Sequence, residues 1–315
     1  MLKNINIKLN DRVKNYFLGN SNYYNMINIE QFIDYFLIDK YNYTFVIDDN
    51  ICDISIWNQQ LEDNLKLVYN KINMIISIEN LTKWSWYDHY NKYNNYDDDK
   101  INIYLYNHIT KIVKTDSYIA IPLIHFYINY YLKKETLFHN QLNLIDFKSK
   151  KFCLCINKSN LNREISQYID ILQSIDNIDN INIYDDIIKS KSCYHSIELL
   201  NIFNKYKFIL AFENSYNDGY ITEKIFNCFF AKTIPIYKGS NIIKNYINES
   251  SFIDINNNND IENIIQLIKL LNNNEELYNN YINSQKISVC YDDEDYKNQL
   301  FIFIENKLES NRNLK

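Results

Sequence analysis

The chain has 315 residues, 46% of them hydrophobic, and a formal net charge of −6. That length holds one large or two medium domains with a real core, and an acidic balance with no basic cluster speaks against nucleic acid as a partner. Three glycines and two prolines exclude a GxGxxG fingerprint, a phosphate-binding P-loop and a GxSxG elbow, and no apolar run reaches membrane-spanning length.

The richness in Asn, Ile, Tyr and Lys follows A/T-rich codons, so a surviving glycine or proline is expected where the backbone needs it. The start, MLKNINIKLNDRVKNYF, has no h-region like that of a signal peptide. Cysteines at 52, 153, 155, 193, 228 and 290 are scattered. They read as free thiols in a reducing compartment, so a soluble cytoplasmic protein is expected.

In chain order, the first amphipathic stretch is 29–38 (IEQFIDYFLI). Strands are expected at 43–47 and 53–57, a helix at 59–70, and a strong apolar strand at 73–78. Glu79 and Asn80 follow that strand, so a carboxylate is set at a strand end. Trp84, Trp86 and Tyr87 come next, either to stack on sugar rings or to form a satellite cluster. The run Asp97–Asp98–Asp99 reads as an exposed loop rather than a metal motif. Strands at 102–105 and 118–121 precede IPLIHFYINYY, where His125 reads as a core residue.

The polar stretch 146–151 (DFKSKK) marks a boundary. A second series follows, with strands at 152–156, 181–184, 207–212, 233–237 and 251–255. Helical patterns lie at 161–173, 195–205, 222–232 and 260–271, and a closing helix is expected at 296–308. Cys153 and Cys155 alternate within FCLCI and face one side of a strand. Repeated strand–helix alternation argues for parallel sheets flanked by helices. The expected domains are 1–150, 151–285 and a helical segment 286–315.

The stretch 207–240 is a strand–loop–helix–strand unit. Ligands in such sheets bind beyond the carboxyl ends of the strands. Thr222 is placed to cap the helix, with Glu223 and Lys224 in its first turn. A cation there opposes the helix dipole, and a bound phosphate reverses that sign; a carboxylate accepts two hydrogen bonds from a ribose diol. The pair therefore fits a nucleotide, or else an ordinary first-turn acid beside a solvent-exposed lysine. Arg163 occupies the same position after the strand FCLCI. Only Arg12, Arg163 and Arg312 are arginines, and a planar guanidinium suits a diphosphate; a surface arginine is the alternative.

FENSYNDGYITEKIFNCFFAKTIPIYKGS closely resembles the signature of the α1,3/4-fucosyltransferases, glycosyltransferase family 10, which reads roughly FEN-S-x(4)-YxTEK-(x)n-IPIYxGS. CINKSNLNREISQ is similar to the family's SNxxxxxR segment, DSYIAIPLIHFY to its YLRxPLxxxY segment and IISIEN to its GEN segment. The resemblance spans about residues 43 to 285. It implies an α/β GT-B fold, in which paired Rossmann-like domains face a cleft, the first for the acceptor and the second for the donor. It implies transfer of L-fucose from GDP-β-L-fucose, with inversion, to a glycan acceptor such as N-acetyllactosamine, α1,3 to GlcNAc. Arg163 and Lys224 are then expected on the diphosphate, Glu223 on the ribose, Asn214 and Tyr220 in the donor pocket, and Glu79 as general base. No metal cofactor is expected. The same GT-B fold using another nucleotide sugar, or a glycan- or nucleotide-binding protein without catalysis, are the alternatives. The chain departs from the pattern in three places. No proline follows Glu79–Asn80, Lys232 stands where glycine is common, and Lys238 stands where an aromatic or apolar residue is common. The membrane anchor of animal Golgi members and the heptad-repeat tail of some bacterial ones have no counterpart, and an AT-rich bacterium, protist or large DNA virus fits as source.

Overall fold

The computed structural model describes residues 3–9, 41–58, 71–77, 102–106, 110–157, 163–182, 196–215, 217–256 and 260–313. The chain divides into two units, one of residues 1–129, 217–220 and 292–315, the other of residues 130–216 and 221–291.

The first unit carries a seven-stranded sheet in the order β2-β1-β3-β4-β5-β7-β6. Its strands are β1 (Lys3–Leu9), β2 (Tyr41–Val46), β3 (Ile54–Asn58), β4 (Ile72–Ser77), β5 (Ile103–Tyr106), β6 (Val113–Lys114) and β7 (Ile119–Pro122). Neighbours are parallel except β6, which pairs antiparallel with β7. β1 is absent from the sequence expectations. Its KNINIKL alternates, and Ile5, Ile7 and Leu9 are buried while the Asn and Lys between them dilute the apolar signal. β4, in the middle of the sheet, buries both faces, as parallel sheets commonly do: Ile72, Met74, Ile75 and Ile76 are all buried.

A helix follows β7 that the sequence reading left unassigned: α1 (Ile124–Gln141). Ile124, Phe126, Tyr127, Ile128, Tyr130 and Tyr131 are buried in its first turns. An apolar circumference has no 3.6-residue period to read. His125 is buried, as expected, with its ring 4.6 Å from that of Tyr296.

The second unit holds a five-stranded, all-parallel sheet in the order β12-β11-β10-β8-β9. The chain runs β8 (Lys151–Asn157), α2 (Arg163–Gln173), β9 (Ile178–Asn182), α3 (Ile197–Phe203), β10 (Tyr206–Phe212), α4 (Glu223–Phe230), β11 (Ile234–Lys238), β12 (Ile253–Asp254), α5 (Ile261–Asn273) and α6 (Glu275–Asn283). The strand expected at 181–184 lies a few residues earlier, as β9. Tyr168, Ile169 and Leu172 of α2 and Ile264, Ile268 and Leu271 of α5 pack in one core with Cys153, Cys155, Phe208 and Ile236. A fully buried Ile, Leu or Phe side chain contributes about 1.5–3 kcal/mol. The last helix, α7 (Asp293–Asn313), extends the expected 296–308 at both ends and groups with the first unit. Its Glu305 accepts hydrogen bonds from Lys3 and Tyr41.

In the second sheet β9 lies on one side of β8, and β10, β11 and β12 step away on the other. The winding therefore reverses between β8 and β10. In open α/β sheets the crevice outside the carboxyl ends of such strands is where ligands bind.

Candidate functional site

The segments that leave those two strand ends are the ones the sequence marked. After β8 the chain reaches Arg163, the first residue of α2; its backbone is described and its side chain is not. After β10 it passes through 213–222 into α4. Asn217 to Tyr220 form a turn closed by the Tyr220 amide donating to the Asn217 carbonyl at 3.0 Å. Gly219 takes φ 86° there, which only glycine adopts without steric cost. Asn214 is exposed and Tyr220 is buried.

Glu213 organises the strand end. Its amide donates to the Lys238 carbonyl at 2.8 Å, extending the β10–β11 ladder by one residue. Its carboxylate is wholly inside the protein, with side-chain exposure 0%. Oε1 accepts from the Thr222 amide at 2.8 Å, and Oε2 accepts from the Thr222 hydroxyl at 2.8 Å and the Lys224 ammonium at 2.9 Å. Lys224 Nζ also donates to Thr222 Oγ1 at 3.0 Å. Burial pushes the Glu213 carboxyl above its usual range, the Lys224 charge pulls it back, and Glu223 pushes it up again. Sequence reasoning missed this residue. Its signal was an acid directly after the buried run KFILAF, in the same motif that supplied Asn214.

Thr222 does sit at the N-cap position, but its side chain makes no cap bond. The expected cap is corrected: the hydroxyl is drawn to Glu213 instead. Glu223 is 6% exposed, and Lys224, side-chain exposure 24%, is neither buried nor fully solvated. The start of α4 thus presents Glu223, Lys224 and the positive end of a helix dipole, without a side-chain cap. That combination suits an anion carrying hydroxyl groups.

Gly239 closes the site for steric reasons. A Cβ there would lie 2.4 Å from Tyr237 Oη and 2.7 Å from Glu213 Cγ. The Tyr237 hydroxyl is buried. Lys238, where an apolar residue was the expectation, is 5% exposed. Its ammonium donates to Tyr168 Oη at 3.4 Å and lies 5.1 Å from that ring's centroid.

Lys232 explains itself as backbone. Its amide donates to the Phe229 carbonyl at 3.2 Å and the Thr233 amide to the Cys228 carbonyl at 3.1 Å. This is the Schellman ending of a helix, and Lys232 fills its left-handed position with φ 51°.

Glu79, Trp84, Trp86, Tyr87, the run 97–99, Cys193 and the expected helices at 29–38 and 59–70 lie outside the described residues. The free thiols Cys52, Cys153, Cys155 and Cys228 are buried and Cys290 is exposed. Among the described residues no group of three or more His, Cys, Asp or Glu is placed to hold a metal ion, and no helix is long and apolar enough to cross a membrane.

Residues 145–305 match the family described as glycosyltransferase family 10 (fucosyltransferase), C-terminal part. The chain belongs to glycosyltransferase family 10. The α-(1,3)-fucosyltransferase FucT of Helicobacter pylori is 39% identical over 75 residues, 24% of this chain and 16% of that protein. The human 4-galactosyl-N-acetylglucosaminide 3-α-L-fucosyltransferase 9 is 29% identical over 148 residues, 45% of this chain and 40% of that protein. The chain thus covers well under half of each of these curated relatives. A crystal structure of an α1,3-fucosyltransferase with GDP-fucose superposes with a TM-score of 0.62 at 17% identity, covering 98% of this chain and 91% of that one. The fold of this family member is accordingly GT-B, as the paired parallel sheets lead one to expect. The strand ends, Glu213, Glu223, Lys224 and Gly239 all fall inside the matched segment.

Proposed function

We propose that this family 10 chain is an inverting fucosyltransferase that moves L-fucose from GDP-β-L-fucose to a hydroxyl of a glycan, α1,3 to GlcNAc in an N-acetyllactosamine-like acceptor. The reading is supported by the family, by the activities the relatives are named for, and by the GDP-fucose in the structural neighbour. The observation that carries it is the uncapped start of α4, with Glu223 and Lys224, beyond the strand at which the sheet winding reverses.

Residues 151–285 bind the donor in this reading, residues 1–150 the acceptor, and 286–315 are the closing helical segment. Lys224 and Arg163 hold the diphosphate, Glu223 accepts from the ribose hydroxyls, and Asn214 and Tyr220 line the donor pocket. The acceptor oxygen attacks C1 of fucose as the bond from C1 to the β-phosphate oxygen breaks. GDP departs with the electron pair, and the two cations offset the charge that grows on it. Glu79 takes the acceptor proton, a contribution of about 10²–10⁴-fold. Attack from the face opposite the leaving group turns the β-linked donor into an α-linked product. This chain's own residues suffice for each of these steps without a metal ion. A cytoplasmic setting is part of the proposal.

The test is incubation with GDP-fucose and an array of glycans, with linkage in the product read by NMR. An α1,3-fucosylated GlcNAc is expected; no transfer from GDP-fucose, with transfer from another nucleotide sugar supplied in a parallel incubation, overturns the donor assignment. Calorimetry separates the parts: Lys224→Ala and Arg163→Ala each weaken GDP binding by about tenfold or more, the scale of one charge-assisted contact, and unchanged affinity removes that residue from the site.

A further inference from the structure

We propose that Glu213 is the positioning residue of the donor site. It holds the Lys224 ammonium at the start of α4 and takes the Thr222 hydroxyl away from the helix cap. The inference rests on the reading that Lys224 meets the diphosphate.

The geometry points this way because the arrangement is a poor device for stability alone. A carboxylate with no exposure pairs with a lysine whose side chain is 24% exposed. Buried ion pairs of this kind are often no more stabilising than apolar residues of the same volume. Room for it depends on the missing side chain at residue 239, since an ideal Cβ there would collide with Glu213 Cγ at 2.7 Å and with Tyr237 Oη at 2.4 Å. Tyr237 Oη and the Glu213 side chain therefore converge on one point.

What the arrangement does achieve is directional. Lysine is a flexible point charge on a long stem. At the first turn of a helix, an untethered ammonium is repelled by the dipole and turns to water. Here both Glu213 Oε2 and Thr222 Oγ1 accept from it, at 2.9 and 3.0 Å. They fix its position before any ligand arrives. The same Thr222 hydroxyl donates to Oε2 at 2.8 Å and makes no bond to the helix amides. One carboxylate thus orients the cation and keeps the side-chain cap off the helix end. Preorganisation of this kind lowers the ordering cost on binding.

The experiment is a double-mutant cycle on the full chain, read by GDP calorimetry and by donor and acceptor KM. Glu213→Gln is expected to weaken GDP binding and raise the KM for GDP-fucose by about ten- to a hundredfold, the range seen when an orienting partner is lost, while the acceptor KM holds. Glu213→Asp restores part of that loss, because it returns the charge. In a Lys224→Ala background, Glu213→Gln changes GDP affinity by less than about twofold, since the group it orients is gone. Losses that multiply in the double variant overturn the inference, as does a Glu213→Gln protein with normal GDP affinity. Should Glu213→Gln fail to fold, the Glu213→Asp cycle against Lys224→Ala decides by the same criterion. If Lys224→Ala alone leaves GDP affinity unchanged, the donor-site reading itself falls, and this inference with it. If Lys224→Ala weakens binding but the cycle is additive, only the inference falls.

Discussion

At the scale of single residues, Lys232 and Gly239 pose opposite problems. Lys232 occupies the left-handed position of a Schellman ending at φ 51°, where a Cβ approaches the following carbonyl. Its charge also opposes protonation of His139 and Lys286. Lys232→Gly is expected to stabilise the protein by about 0.5–1 kcal/mol, read as a higher urea midpoint with GDP affinity unchanged. An unchanged or lower midpoint means that another interaction holds the lysine in place. At 239 the backbone is ordinary and space is what is missing. Gly239→Ala forces Tyr237 and Glu213 apart and is expected to cost about 1–3 kcal/mol. It should weaken GDP binding as well, because it displaces the group that holds Lys224. Loss of stability with intact GDP affinity would separate Gly239 from the donor site.

Among the elements, α4 is the one that joins core to site. Every described residue from Ile225 to Phe230 is buried. The ring of Phe230 lies 4.7 Å from Phe138, 5.2 Å from Tyr131 and 5.7 Å from Tyr130, all on α1. Aromatic pairs of this geometry add about 0.5–1.5 kcal/mol each beyond area burial. Phe230→Ala is expected to cost about 3–5 kcal/mol in urea unfolding; a loss below 1 kcal/mol would mean that α1 and α4 do not pack as described.

The second unit's strands and helices were largely legible, because β-branched strands alternate with helices of one apolar face. β1 was not, since the asparagines and lysines on its polar face dilute the apolar signal, nor was α1, whose first turns are apolar all the way round. The strand-end position of Glu223 and Lys224 was legible from spacing and motif. The part played by Glu213 was not. Its partners Thr222 and Lys224 are nine and eleven residues away, and only the folded turn brings their hydrogen bonds together. The expected cap by Thr222 failed for the same reason, as Glu213 outcompetes the helix amides for that hydroxyl.

For the molecule as a whole, the buried thiols and phenols set the response to alkali. Burial raises Cys52, Cys153, Cys155 (to about 12) and Cys228. It also raises Tyr131, Tyr237, Tyr246 and Tyr278, with Glu135 adding to the effect at Tyr131. A group whose folded pKa is raised contributes stability that is complete below its unfolded value and is lost above it. For these groups the unfolded values are about 8.5 and 10. Lys150 and Lys286 act in the other sense. Burial lowers each to about 8, so each favours folding increasingly as pH rises from 8 towards 10.5. The thiols and phenols outnumber them. Thermal midpoints are therefore expected to hold near neutrality and fall steeply above about pH 9, and a flat profile to pH 11 would contradict the burial of these side chains.

The uneven exposure of the sulfur atoms has a practical consequence. Four of the described thiols are sealed in cores, whereas Cys290 reaches solvent two residues before the chain passes from the second unit back to the first. In a Cys193→Ser background, a maleimide dye added to the native protein attaches at that one sulfur. The protein thus carries its own fluorescent reporter position beside a crossover of the chain, with no cysteine to engineer in.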